Sequence, residues 1–235
     1  MKKQWRGCIR GDKMVMGLLA KLLMTKQLRF EKGQIELRDI HLTLVPSFFI
    51  GELTQYFLKE NRLRQLYLIS WLWGFRLVGQ VVRDFNLNTP AKVYNWGMEL
   101  AEAMGIGIYK TCDYEPGRYT HFIISLNPYT EYLKGLKTGM PVDHFIAGCM
   151  GGGGCHVHGQ LCQNIELKCQ TKGDAHCEFL TGTEDELKSR GLWDITQERY
   201  QLDEILPMQK RYYDAFFKNE DEGLTSKIIG EALKL

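Results

Sequence analysis

The sequence contains no apolar run long enough to cross a membrane. Its longest, residues 66–82, is broken by Ser70, Arg76 and Gln80 and falls short of the roughly 18 to 20 uninterrupted apolar residues that a spanning helix requires. Charge bias is missing too: 30 lysines and arginines face 28 aspartates and glutamates, with no long block of either sign, so direct nucleic-acid binding is not expected. There is no dinucleotide fingerprint, since GIGIYK lacks the glycine pattern, and no glycine-rich loop ending in Lys-Ser or Lys-Thr for a nucleotide phosphate. No internal repeat or low-complexity tract occurs. Seven cysteines, an odd count with five of them between Cys149 and Cys177, do not make a disulfide scaffold in a chain of 235 residues. Reduced thiols in a cytoplasmic protein, some of them on metal, fit better. The N-terminus starts basic and turns apolar, but Lys21 interrupts the run and no small-residue cleavage site follows. Met14, Leu18, Leu19, Leu22 and Leu23 instead have the spacing of an amphipathic helix in the mature protein.

What is present reads as an α+β protein, an antiparallel sheet packed against helices. LRFE, QIEL and HLTLV alternate like strands around a Lys32-Gly33 turn. Ser47 is expected to cap a helix running to about Glu60, and residues 62–85 form a longer one with Leu66, Ile69, Trp73, Leu77 and Val81 as its apolar stripe. Gly74 and Gly79 on this helix each cost roughly 1 kcal/mol relative to alanine and so mark a close contact with a helix or a ligand. Thr89-Pro90 starts a helix that Gly105 ends, and a hairpin turning at Glu115-Pro116-Gly117 follows. After Asn127-Pro128 comes a short helix, then an apolar helix over about 142–158, then the strands QNIELKCQ and AHCEFLTG. Three units are expected: 1–60, a helix and small strand unit that dimerises; 61–182, a ligand-binding domain; and 183–235, a helical C-terminal extension that covers a surface or serves a partner.

Chemistry concentrates between Pro141 and Phe179. Glu166 and Cys169 stand three apart, which on a regular strand places them on opposite faces, so both can ligate one ion only where the strand bends or ends. Cys177 lies across a glycine-containing turn, within hairpin reach of Cys169. Two thiolates and a carboxylate suit zinc and need a fourth ligand. Buried cysteines acting as small hydrophobes are the equal competitor. CMGGGGCHVHG offers either an anion cradle with a further metal at Cys149, Cys155, His156 or His158, or glycines 151–154 for close helix packing.

The run PVDHFIAGCMGGGGCHVHGQLCQNIELKCQTKGDAHCEF resembles the signature of the 4-vinyl reductase domain family, also described as predicted hydrocarbon-binding proteins. The features that carry it are Gly148 and Gly152 in the helix, Glu166-Leu-Lys-Cys169, Gly173-Asp174 and Cys177-Glu-Phe179. The resemblance implies a ligand-binding fold related to vesicle-tethering and heme-NO-binding-like domains. In the family's sensors of aromatic compounds the glutamate and the two cysteines bind zinc, and a third cysteine just before the helix completes the site. Here that position is Asp143, so Glu166, Cys169, Cys177 and Asp143 are the implied set. Exchanging a sulfur for an oxygen would weaken zinc or admit iron. Cys155, Cys149, His144 and His156 are the alternative fourth ligands.

For the cavity, Trp73, Tyr94, Trp96, Phe122 and Phe145 are candidate walls, lying beside Gly148 and Gly152, with His121 or Tyr119 as the polar contact. Plain core is the competing role of each aromatic. Counted without gaps, Tyr94 and Phe122 fall where the aromatic sensors of the family place their polar ligand-binding residues, and the absence of a histidine and a tryptophan there argues against phenol itself as the ligand. A homodimeric small-molecule sensor with a structural zinc is the leading expectation. In the family's transcriptional sensors an ATPase and a DNA-binding domain follow this one, and 235 residues leave no room for either, so output passes through a partner or the C-terminal extension. The rivals are an accessory protein or enzyme of tetrapyrrole vinyl reduction, which would need a hydride donor, and a dimeric scaffold without ligand.

Overall fold

A computed structural model describes residues 15–136 and 138–235, so Met14 lies outside the described residues. Helix α1 (Val15–Met24) leads into an antiparallel sheet of β1 (Leu28–Glu31), β2 (Gln34–Leu37) and β3 (Ile40–Leu42). Glu31 pairs with Gln34, so Lys32 and Gly33 alone make the turn, with φ of 51° and 80°. Two positive φ values suit the twist of a two-residue hairpin. Leu37 of this sheet packs with Leu18, Leu22, Val81 and Leu100 in a small core of its own.

Helices α2 (Ser47–Lys59), α3 (Leu63–Asp84) and α4 (Pro90–Ala103) follow. The cap expected of Ser47 is not formed: Pro46 holds the N-cap position and no side chain caps the helix. Proline's fixed φ has already set the entry angle there. Thr89 does cap α4, its hydroxyl accepting from the Lys92 N–H at 3.3 Å. Helix α3 is packed on several sides, by α6, α8, α9 and α10, so the single stripe read from its sequence is too narrow. Trp71, outside that stripe, is fully buried, whereas Trp73, within it, is 39% exposed.

The second sheet has the order β4-β5-β7-β6, antiparallel throughout, from β4 (Ile108–Glu115), β5 (Tyr119–Ser125), β6 (Cys162–Lys168) and β7 (Cys177–Thr183). Between β5 and β6 come α5 (Pro128–Leu133), capped by Asn127, and α6 (His144–His158), capped by the Asp143 side chain and ended by Gly159 at φ 67°. Helix α6 lies between α3 and the sheet. Its glycines permit this: a Cβ on Gly148 would strike Ser70 Oγ and the Tyr67 carbonyl, and one on Gly152 would strike the Trp71 carbonyl. Gly74 meets the Cys149 backbone in the same way from the α3 side.

Beyond the sheet run α7 (Glu184–Ser189), α8 (Trp193–Tyr200), α9 (Leu202–Phe217) and α10 (Leu224–Ala232). Their Trp193, Tyr200, Leu202, Ile205, Tyr212, Phe216 and Ile228 join the same main core as Trp71, Phe122 and Phe179. Tyr200 stacks on Tyr67 with ring centroids 3.9 Å apart. Helix α8 has no clear signal in its polar sequence. Among the described residues no helix is long and apolar enough to cross a membrane.

Candidate metal centre and apolar cavity

The parity conflict between Glu166 and Cys169 is resolved by backbone irregularity. The β6/β7 register shifts between Glu166 and Lys168, the strand ends at Lys168, and Cys169 opens a 3-10 turn over Gln170–Lys172. A bulge re-aims the side chains around it. Cys177 begins β7 beyond Gly173, whose φ of 96° turns the chain back, and the Asp174 carboxylate accepts from the Cys169 N–H at 2.9 Å. Ligand atoms of Glu166, Cys169 and Cys177 consequently lie within 4.8 Å of one another, all three residues buried.

The cluster crowds several ionisable groups into one buried place. Cys169, which accepts a hydrogen bond from the Cys177 thiol, is lowered to about 5, with further help from Glu166 and Thr171. Cys177 is pushed up by that same bond and by burial. Burial and then the Cys169 charge push the Glu166 carboxyl up, and Asp143 is raised to about 7 by the same two causes. Several potential anions share one desolvated place, and a divalent ion reverses that penalty. Glu166 Oε2 accepts from the Asp143 N–H at 3.1 Å, while Glu166 Oε1 is buried without any partner. An orphaned carboxylate oxygen beside two thiols fits zinc.

Asp143 stands beside the three but spends its carboxylate on the Ile146 N–H and on the Asn127 amide. The other named substitutes are elsewhere. Cys155 and His156 lie 12 and 13 residues along α6 from Asp143, about 18–20 Å at 1.5 Å per residue. Cys155 Sγ accepts from the Cys162 N–H, and His156 meets the Phe75 carbonyl at 2.9 Å. Cys149 faces the cavity. His144 is buried edge-on to Tyr200 with both ring nitrogens unpartnered. Cys149, Cys155, Cys162, Cys169 and Cys177 are all buried thiols outside any disulfide.

Between α3, α4, α6 and the sheet lies an apolar cavity of about 90 Å³. Trp73, Tyr94, Trp96 and Phe122 line it. Phe145 does not; it packs against Trp73 and Tyr129 at 5.8 and 5.6 Å. His121 and Tyr119 alternate with Phe122 on β5 and so point away from the helices: His121 meets Glu178 at 2.7 Å, and Tyr119 donates to Asp113. Gly148 and Gly152 are spent on α3, and Gly153 and Gly154, one step round the helix, line the cavity instead. Gly97 of α4 lines it as well, with open space where a Cβ would stand. Thr120 and Thr181 escaped the sequence reading, because lone threonines give no periodic signal, and Cys149, named there as an alternative metal ligand, lines the cavity instead.

No protein-family model matches this chain, and no curated protein matches it in sequence. Among solved structures it is similar to the crystal structure of the phenol-responsive sensory domain of the transcription activator PoxR with phenol, at a TM-score of 0.62 and 18% identity, over 77% of this chain and 98% of that one. At that identity the likeness is one of fold: the chain shares the α+β architecture of a sensory domain.

Proposed function

We propose that this chain is a sensor domain that binds a small, mostly apolar compound and carries a structural zinc. The observation that carries the reading is the cavity, walled by Trp73, Leu77, Val93, Trp96, Met98 and Phe122. At about 90 Å³, with walls almost wholly apolar, it suits a compact apolar compound. A tetrapyrrole macrocycle is far larger. The fold shared with a phenol-responsive sensory domain supports the same reading, and the motif over residues 141–179 supports a place near the 4-vinyl reductase family.

Zinc would be held by Glu166, Cys169 and Cys177, with Asp143 or a water in the fourth position and iron as the competing ion. With Asp143 as the fourth ligand the site would be closed, tying the turn after β6 to the start of β7 and doing no chemistry on the ligand. Self-association belongs to the reading as well, on the exposed Leu44, Phe48, Phe49 and Tyr56 in and before α2. The test is calorimetric titration with toluene and with styrene. Micromolar binding of either, lost when the cavity is filled, bears the reading out; no heat and no shift in Tm with either compound would sink it.

A further inference from the structure

Thr120 of β5 and Thr181 of β7 are register partners, and both line the cavity. Directly opposed residues on one face have Cβ atoms about 4.5–5.5 Å apart. Each hydroxyl is backed by a buried polar side chain. Asn164 of β6, in the same cross-strand row, donates from Nδ2 to Thr181 Oγ1 at 2.7 Å. His158, at the end of α6, places Nε2 3.1 Å from Thr120 Oγ1. Asn164 and His158 each keep one buried atom with no partner, Asn164 Oδ1 and His158 Nδ1.

Those two orphans fix the direction of the hydrogen bonds. Buried N–H groups without an acceptor are rarer than acceptors with unused lone pairs. The amide therefore keeps its N–H side toward Thr181, since turning it over would strand both hydrogens. The same preference puts the His158 proton on Nε2, leaving a bare lone pair at Nδ1. Burial lowers His158 to about 4, so at neutral pH the ring carries that one proton only. Both threonine oxygens then accept from behind, and both O–H groups are left to donate. No acceptor for either is found among the described residues.

We propose that Thr120 and Thr181 form a donor pair that receives the carbonyl oxygen of an otherwise apolar one-ring ligand; this rests on the cavity being a ligand site. A carbonyl oxygen has two lone pairs in one plane and can accept from both hydroxyls at once. A hydrocarbon leaves both donors unsatisfied. A phenol or alcohol brings a further donor and finds both threonine oxygens already accepting.

The test is calorimetric titration of the full chain with acetophenone and with α-methylstyrene, in which a CH₂ group replaces the oxygen. Acetophenone is expected to bind at least about tenfold more tightly. In Thr120→Val and in Thr181→Val the ratio of the two affinities falls toward one, and Thr120→Ser and Thr181→Ser restore it. Equal affinities in the wild-type chain overturn the donor pair and leave the cavity as a binding site, even where the valine variants fail to fold. A preference that survives both valine substitutions overturns it too. Binding of neither compound overturns the ligand-site reading itself, and the donor pair with it.

Discussion

The backbone N–H of Asp143 donates to Glu166 Oε2 at 3.1 Å, which fastens the first turn of α6 to the acidic member of the candidate metal cluster. The Glu166 carbonyl in turn accepts from Arg199 of α8. The cluster thus joins the cavity helix, the sheet and the C-terminal helices at one point.

Loss of the metal is expected to loosen all three. Elemental analysis of protein purified without added metal or chelator should find one zinc per chain, and none in Cys169→Ser/Cys177→Ser. The variant loses a ligand-bound ion and keeps the orphaned Glu166 oxygen. A destabilisation of about 3 kcal/mol lowers Tm by roughly 6–12 °C in a chain of this size. An unchanged Tm together with an unchanged metal content would refute the site.

The crossing of α3 and α6 should tolerate no added methyl group. Gly152→Ala drives a Cβ into the Trp71 carbonyl, which is backbone and cannot swing aside. Chemical denaturation is expected to show a loss of at least about 3 kcal/mol.

Gly97 offers the opposite case. A Cβ there meets nothing within 4 Å, so Gly97→Ala should stabilise α4 by roughly 0.5–1 kcal/mol. Gly97→Leu should extend into the cavity and abolish ligand binding while the fold is kept. Toluene binding retained by a folded Gly97→Leu protein would show that the ligand sits elsewhere.

Acid should weaken the fold through two buried histidines. His156 and His158 are both lowered from 6.5 to about 4, chiefly by burial. A group whose folded value is depressed favours the folded state above its unfolded value, and that contribution is lost as pH falls from about 6.5 toward 4. For His156 the full effect is on the order of 3 kcal/mol. Urea titrations at pH 7.5, 6 and 5 should show it, and His156→Gln, whose amide can still donate to the Phe75 carbonyl, should flatten the profile by up to one proton. An identical slope in wild type and variant would exclude His156 as a contributor.

Much of the fold was legible along the chain because the signals are local. Lys32-Gly33 needs positive φ, Thr89 and Asn127 supply capping oxygens, and Gly105 and Gly159 stop helices; each acts within a few residues of itself. The Glu-x-x-Cys and Cys-x-Phe pieces of the cluster could be found the same way. Helix α8 could not, because its burial comes from Tyr200 meeting Tyr67, a residue more than a hundred positions away.

The sequence by itself determined where most elements begin and end and which residues have the chemistry to hold a metal, since backbone preference and ligand type belong to residues singly or to near neighbours. Tertiary structure decided the rest. A bulge brought Glu166 to the side of Cys169, against the alternation of a regular strand. Packing on several sides buried Trp71 and left Trp73 at the cavity. The row Thr120, Thr181 and Asn164 exists only because β7 pairs between β5 and β6. Strand order and register are settled by what the whole sheet can bury, so no stretch of sequence taken alone could have named those three as neighbours.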